Sequence, residues 1–400
     1  MKGRRLSLFL LLIMVSLLAT GCWSRKELPD IAIILAAGVD RTPEGNVTLT
    51  LQIVKPSAAS GGGGAGEPGK EQATVMVVSQ TGKTVADAQQ GLATRLSRKL
   101  HWPHCLVFIV GEAAARDGLR DITNYFSRSA EPRQTMWIAV TPGQALDIIN
   151  SHSEIENTSA QAIAQMSLQN SGLHMEYHDF MYDLSSGESN PVAPRIEIIR
   201  QGTPQGPGGA KGEAAHNEAV FTGTAVFRGD RLVGWLDEKD TMGLEWLRGE
   251  LEKGIFTVPS PSAPGKYLSF SILKSTTKVE PEFVDGKVGF HVIIMTDVDL
   301  IEQQDTADVT QPEILEAVQK TAADEIERYA RDALFKMQVL YRTDGCHFGE
   351  HFHQKYKQKW KVMEKDWNGF FADAGADIHA TVAVRHSGIL GKQANLRESR

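Results

Sequence analysis

Three short stretches collect side chains able to do chemistry. In "SLLATGCWSRKEL", residues 16–28, Cys22 stands where an apolar run stops and a charged chain begins. "CHFGEHFH", residues 346–353, gathers a thiol, a carboxylate and three imidazoles. "HWPHC", residues 101–105, offers two imidazoles and a thiol. Thiolate is a strong nucleophile and imidazole a common metal ligand, so acylation, nucleophilic catalysis and metal binding are the chemistries open to them.

The surroundings of Cys22 favour acylation. Lys2, Arg4 and Arg5 open the chain, and Leu6–Ala19 is apolar apart from two serines. A basic start, a short apolar core and small residues before a cut describe an export leader. Thr20 and Gly21, directly ahead of Cys22, resemble the lipobox of bacterial lipoproteins, with Ala19 where leucine is commoner. In that pathway the thiol receives a diacylglyceryl group, residues 1–21 are removed, and the new amine is acylated, here with palmitate. One chain binds a membrane marginally, whereas two anchor stably at about 0.8 kcal/mol per buried CH₂. Cys22 is therefore assigned as the lipidation site. An uncleaved anchor is the lesser alternative, because the run is short of the roughly 20 apolar residues a span needs. No later segment is long and apolar enough to cross.

The other two stretches read differently. His347-Phe348-Gly349-Glu350-His351 matches H-x-x-E-H, in which imidazoles four apart on a helix hold one zinc ion. Gly349 inside that would-be helix, and Gly345 before it, cost about 1 kcal/mol each relative to alanine. They favour a turn, so His347 and His351 should not share a face. Chance metal binding by Cys346, His347, His351 and His353 is the weaker alternative. In "HWPHC", Pro103 ends a helix and Cys105 enters a strand, so Cys105 reads as core and His101 and His104 as surface. "GGGGAG" lacks the G-K-[ST] of a phosphate loop, and His152 and Ser153 belong to no nucleophile motif. No catalytic residue, cofactor site or metal site is assigned.

These residues must be positioned by a large chain. Its 400 residues exceed one core, so several domains are expected. The formal charge of −7 includes Lys2, Arg4 and Arg5, so the remainder carries −10. An acidic body argues against nucleic acid and against an electrostatic grip on anionic lipid. Beyond Cys22 only Cys105 and Cys346 remain, leaving one bridge or two free thiols open.

Strand and helix patterns alternate in the first half. "IAIILAAGVD" reads as a buried strand, and Val47, Leu49, Leu51 and Ile53 alternate with polar residues as in a half-buried one. A helix capped by Thr84 follows, then the apolar strand 104–112, a helix with Ile122 and Phe126, and a helix opened by Pro142. An N-terminal α/β domain is expected over 22–200, with a flexible glycine-rich loop at 57–71. Residues 201–218 read as a disordered loop or linker. A middle β-rich domain, 219–275, opens with a hairpin turning at Gly229–Asp230. A C-terminal α+β domain, 276–400, holds a long helix 312–340, capped by Thr310, and a last strand alternating Ile378, Ala380, Val382 and Val384. The fold class is thus mixed α/β, or α+β, with mixed sheets packed against helices.

"GCWSRKELPD…AAGVD" is similar to the opening of the Ger(x)C family of spore germination lipoproteins. The likeness continues through "CLVFIVGEAAARDGLRDITNYFSRSAEPR" and "FTGTAVFRGDRLVGWL". It ends in "DGCHFGEHFHQKYKQKWKVMEKDWNGFFADAGADIHATVAVRHSG". Ser24 departs from the usual aspartate. The loop from Asp344 keeps Phe348 and Gly349 but changes their neighbours to Gly345, Cys346 and His347, which leaves its packing open. The resemblance implies a three-domain, non-enzymatic C subunit of a nutrient germinant receptor. It would be lipid-anchored on the outer face of the spore inner membrane, beside integral-membrane A- and B-type subunits. It does not say whether this subunit meets the nutrient. The rival readings are an extracytoplasmic solute-binding lipoprotein, which would need two doubly wound lobes, and a zinc peptidase.

Overall fold

In the computed structural model, which describes residues 30–55, 74–129, 131–153, 155–169, 172–200 and 217–386, the alternation of Val47, Leu49, Leu51 and Ile53 folds as a strand with all four side chains buried. This is β2 (Val47–Val54). Its polar face is not half-exposed, because helices cover both sides of the sheet. Thr50 and Gln52 are buried as well. The Gln52 amide donates to the Ile149 carbonyl at 3.0 Å and to Ser159 Oγ at 2.9 Å, so its burial leaves no donor stranded. The leader with Cys22, the glycine-rich stretch 57–71 and residues 201–216 lie outside the described residues.

The first sheet has nine strands in the order β3-β2-β1-β5-β6-β7-β8-β9, with β4 paired to the start of β1. They are β1 (Ile31–Arg41), β2, β3 (Val75–Gly82), β4 (Lys99–His101), β5 (Val107–Gly111), β6 (Trp137–Thr141), β7 (Val192–Arg200), β8 (Asn217–Arg228) and β9 (Arg231–Leu236). The centre, β1-β5-β6-β7, is parallel, and the flanks are antiparallel. Parallel strands need crossovers, and these cover the sheet. On one face lie α1 (Val85–Arg95), α2 (Glu112–Asp117), α3 (Arg120–Arg128) and α6 (Tyr177–Ser186). On the other lie α4 (Ala145–Ile149) and α5 (Ser159–Leu168). Thr84 caps α1 as expected, accepting from the Asp87 N–H at 3.1 Å. Pro142 does not enter a helix: α4 begins three residues later, with Gln144 before it.

A second sheet, β10 (Ile255–Pro259), β11 (Tyr267–Val284), β12 (Lys287–Gln303) and β13 (Gly375–His386), is antiparallel until β13, which runs parallel to β12. The 219–275 segment forms no sheet of its own. Its hairpin β8–β9 extends the first sheet beside β7, and β10 and β11 belong to the second. Only one sheet has a parallel centre, so two doubly wound lobes are not found among the described residues. Helix α7 (Glu238–Arg248) links the two sheets and packs on α8 (Pro312–Phe335). Of the apolar stripe its spacing predicts, Val318, Ala322, Ile326, Ala330 and Ala333 are buried, Ile314 is only partly so, and Met337 is buried beyond its end. Thr310 does not cap α8. Its N–H and hydroxyl turn back to Asp308 Oδ1, at 3.1 and 2.6 Å, and Gln311 takes the cap position without a side-chain bond. Past Phe335 the coil widens into a π-helical turn, Lys336–Tyr341, instead of continuing as α-helix to residue 340.

Candidate functional site

The stretch joining that π-turn to the C-terminal helices carries most of the sequence-selected side chains. Helices α9 (Phe348–Lys355), α10 (Lys357–Met363) and α11 (Trp367–Ala372) follow it. Thr343 and Asp344 are fully buried at the head of α9. The Asp344 carboxyl accepts from the backbone N–H of Cys346 (3.0 Å), Phe348 (3.3 Å) and Gly349 (2.7 Å), and from the Trp367 indole (2.8 Å). The first N–H groups of any helix lack partners inside it. Asp344 supplies them from a distance, which is why residues 348–355 form a helix where two glycines favoured a turn. Burial pushes its carboxyl pKa up, against the pull of those donors.

Gly349 also has a different reason to be glycine. Its φ is not positive. A β-carbon there would lie 2.0 Å from the Glu188 carbonyl oxygen and 2.6 Å from the Trp367 indole nitrogen. Close backbone approach, not turn geometry, excludes a side chain. The left-handed residues of this loop are Arg342, at φ +48°, and His347, at φ +63°.

The three histidines do not converge. His347 Nε2 lies 3.1 Å from Asp183 Oδ1 on α6. His353 Nδ1 lies 2.7 Å from Glu188 Oε1, and its ring stacks on Trp360 with centroids 5.2 Å apart. His351 is half-buried, and that burial lowers its pKa. Among the described residues, the one cluster of three side chains spaced for a metal is Glu176, His178 and Asp179, none of them selected from sequence. Cys105 and Cys346 are both buried free thiols rather than a bridge. Burial pushes Cys105 up to about 12 and Cys346 well above its usual value, which removes the thiolate needed for nucleophilic attack. His101 and His104 face each other, ring centroids 5.5 Å apart, beside the buried Cys105.

What the loop does instead is fasten the C-terminal helices to the first sheet and to α7. Thr343 Oγ1 donates to the Phe227 carbonyl on β8 at 2.8 Å. Asn190 N–H donates to the Asp344 carbonyl (2.6 Å), while its side chain bridges the Gly229 N–H (2.7 Å) and Asn368 Oδ1 (2.8 Å). Arg248, at the end of α7 with its side chain 3% exposed, donates from Nη1 to the Gly345 carbonyl (2.9 Å) and from Nε to Glu250 (2.6 Å). Its other nitrogen lies 3.8 Å from Asp183. Asp183, Arg248, Glu250 and His347 thus form one charged node between the halves. Sequence reading missed Asp344, Arg248, Asp183, Asn190 and Asn368. Only Asp344 carried a local signal, an aspartate a few residues ahead of Phe348 of the kind that starts helices.

The "AAGVD" stretch is also structural. A β-carbon on Gly38 would lie 2.6 Å from Ile149 and 2.8 Å from Ala145, so glycine lets α4 sit against β1. Asp40 Oδ1 then accepts from the Ala145 N–H at 2.9 Å, capping α4 from another element.

Comparison with known proteins agrees in order and extent. Residues 24–198 match the spore germination protein N-terminal domain, and residues 222–388 match the spore germination B3/GerAC-like C-terminal domain. Spore germination protein YndF of Bacillus subtilis (strain 168) is 25% identical over 417 residues, covering 98% of each chain. Spore germination protein KC of the same organism is 24% identical over 409 residues, covering 96% of this chain and 97% of its own. The crystal structure of the GerBC protein superposes with a TM-score of 0.53 at 18% identity, over 88% of this chain and 97% of that one. That likeness carries the fold, and the two domain matches carry the family. The chain belongs to the Ger(x)C family of spore germination proteins.

Proposed function

We propose that the chain is the lipid-anchored, non-enzymatic subunit of a nutrient germinant receptor. It would sit on the outer face of the spore inner membrane, held by diacylglyceryl and N-acyl groups on Cys22. The observation that carries this reading is one of position: a lipobox-like cysteine stands two residues ahead of a chain that matches two germination domains, over residues 24–198 and 222–388. No helix among the described residues is long and apolar enough to cross a membrane, which fits attachment through the leader cysteine. Thiols held in the buried, protonated form and histidines held by carboxylates support a scaffold rather than a catalyst. Integral-membrane A- and B-type subunits are its partners in this reading. The node joining α6 to α7 and to the loop ahead of α9 would let a push on one half reach the other.

The test is Cys22→Ala in sporulating cells. Mass spectrometry of the wild-type N-terminal peptide should find Cys22 at the new terminus, bearing thioether-linked and amide-linked acyl chains. The variant should leave the membrane fraction while keeping its fold, and pull-down from dormant spores should lose the two polytopic partners. A variant that stays membrane-bound after a salt wash, its leader uncleaved, would make the leader the anchor and sink the lipid assignment.

A further inference from the structure

Helix α7 does more than link the sheets. Glu238, Thr241, Met242 and Glu245 stand at the first, fourth, fifth and eighth places of one helical stretch and so share a face, and that face lines a cleft of about 510 Å³. Leu173, Phe221, Leu251 and Ile255 complete an apolar wall around it. At its base is Glu245, only 4% exposed. Its carboxyl oxygens are not sealed off, since they do not count among the enclosed, unpartnered polar atoms of the described residues, so the cleft reaches them. The neighbouring polar groups are already engaged. Thr241 Oγ1 bonds the Asp237 carbonyl (2.7 Å) and Thr224 (2.8 Å), and Arg248 is turned to Glu250 and Gly345. Lys253, on the rim, is exposed.

Holding a carboxyl in a largely buried position costs free energy, which a bound partner of opposite charge can offset. An apolar cleft with one convergent polar group is the usual form of a small-molecule site. We propose that this cleft binds a small organic ammonium, its charge paired with the Glu245 carboxylate and its hydrocarbon body seated against Phe221, Met242 and Ile255. The charges around it select the sign of the ligand. On its other side Glu245 borders a second cleft of about 540 Å³ that also holds Asp183, Glu250 and Glu252, so an anion is repelled. A hard divalent cation wants several converging oxygens. The apolar cleft offers Glu245 at its base and Glu238 seven residues earlier on the helix, too sparse a set.

Protonation provides the readout. Burial and the nearby Glu250 carboxylate hold the Glu245 carboxyl up at about 8, with Arg248 pulling the other way. Near pH 7 the empty site is therefore mostly –COOH. An arriving ammonium favours –COO⁻, so binding expels the carboxyl proton to solvent and the ammonium keeps its own.

The experiment uses the full-length chain in detergent, titrated calorimetrically with n-butylammonium and with n-butanol, its neutral near-isostere. Each titration is run in two buffers of different ionisation enthalpy. The ammonium should bind about tenfold or more tighter than the alcohol. It should release about one proton at pH 7 and almost none at pH 9. Glu245→Gln should abolish both the preference and the release, whereas Glu252→Gln, a nearby acid outside the apolar cleft, should keep them. Equal affinity for the two probes overturns the proposal. So does proton release that survives Glu245→Gln, or no binding by a wild-type protein of native circular dichroism.

Discussion

At the scale of single residues, burial decides more than residue type. Gly349 sits inside α9, where alanine is intrinsically better by about 1 kcal/mol. Propensity alone therefore predicts that Gly349→Ala stabilises the protein. The 2.0 Å approach of a β-carbon to the Glu188 carbonyl predicts the reverse, and overpacking costs typically about 1–3 kcal/mol. We expect a net loss, read as a lower midpoint in urea; a gain would mean the loop yields freely. Glu245 gives a second prediction, one of pH. Its folded pKa of about 8 lies above the ordinary 4.5, so between those values the folded state holds a proton that the unfolded chain has lost. Stability then falls as pH rises from about 5 to 8, by up to roughly 1.4 kcal/mol per unit. Glu245→Gln should flatten that slope and exceed the wild type in stability above pH 8. Equal slopes in the two proteins would show that Glu245 titrates normally.

At the scale of elements, what was legible in the sequence is what depends on neighbours along the chain. The alternation in β2 and the stripe of α8 repeat at the period of their elements, and the Gly229–Asp230 turn and the Thr84 cap depend on residues within a few positions. The failures have two causes, a distant partner and a nearby competitor. Glu188 and Trp367 pack from afar on Gly349, whereas Asp344 and Asp308 take N–H or hydroxyl groups close by that the local pattern assigned elsewhere. A glycine- and proline-rich linker hid the pairing of β7 with β8, because composition says nothing of which strands meet beyond a loop. The π-turn belongs with these. It brings Tyr341 onto β9, where its hydroxyl donates to the Trp235 carbonyl (2.7 Å) and accepts from the Trp235 N–H (3.2 Å). Gly234 makes room, since a β-carbon there would meet the ring at 2.1 Å. Tyr341→Phe keeps the ring and removes both bonds, so a loss of about 1–2 kcal/mol is expected in chemical denaturation. An unchanged midpoint would mean that the ring alone holds the π-turn in place.

At the scale of the molecule, the question is whether two family domains behave as one. A single apolar cluster runs from Ala32 on β1 through Phe227 and Trp246 to Val382 on β13, crossing both sheets. Within it lies the charged node in which Arg248 from α7 meets Asp183 from α6, Glu250 and the loop carbonyl of Gly345. Replacing Arg248 with methionine keeps some of the bulk but leaves Asp183 and Glu250 without their cation. Breaking one side of a buried ion pair costs about 3–5 kcal/mol. If the node were the only tie, the halves would then melt apart. The continuous cluster argues otherwise, because neither sheet can be uncovered without exposing apolar surface of the other. Arg248→Met should therefore lower the melting temperature yet leave one calorimetric transition, with van't Hoff and calorimetric enthalpies still equal. Two resolved transitions in the variant alone would show that the node, not the core, couples the halves, and two in the wild type would show that the halves fold independently.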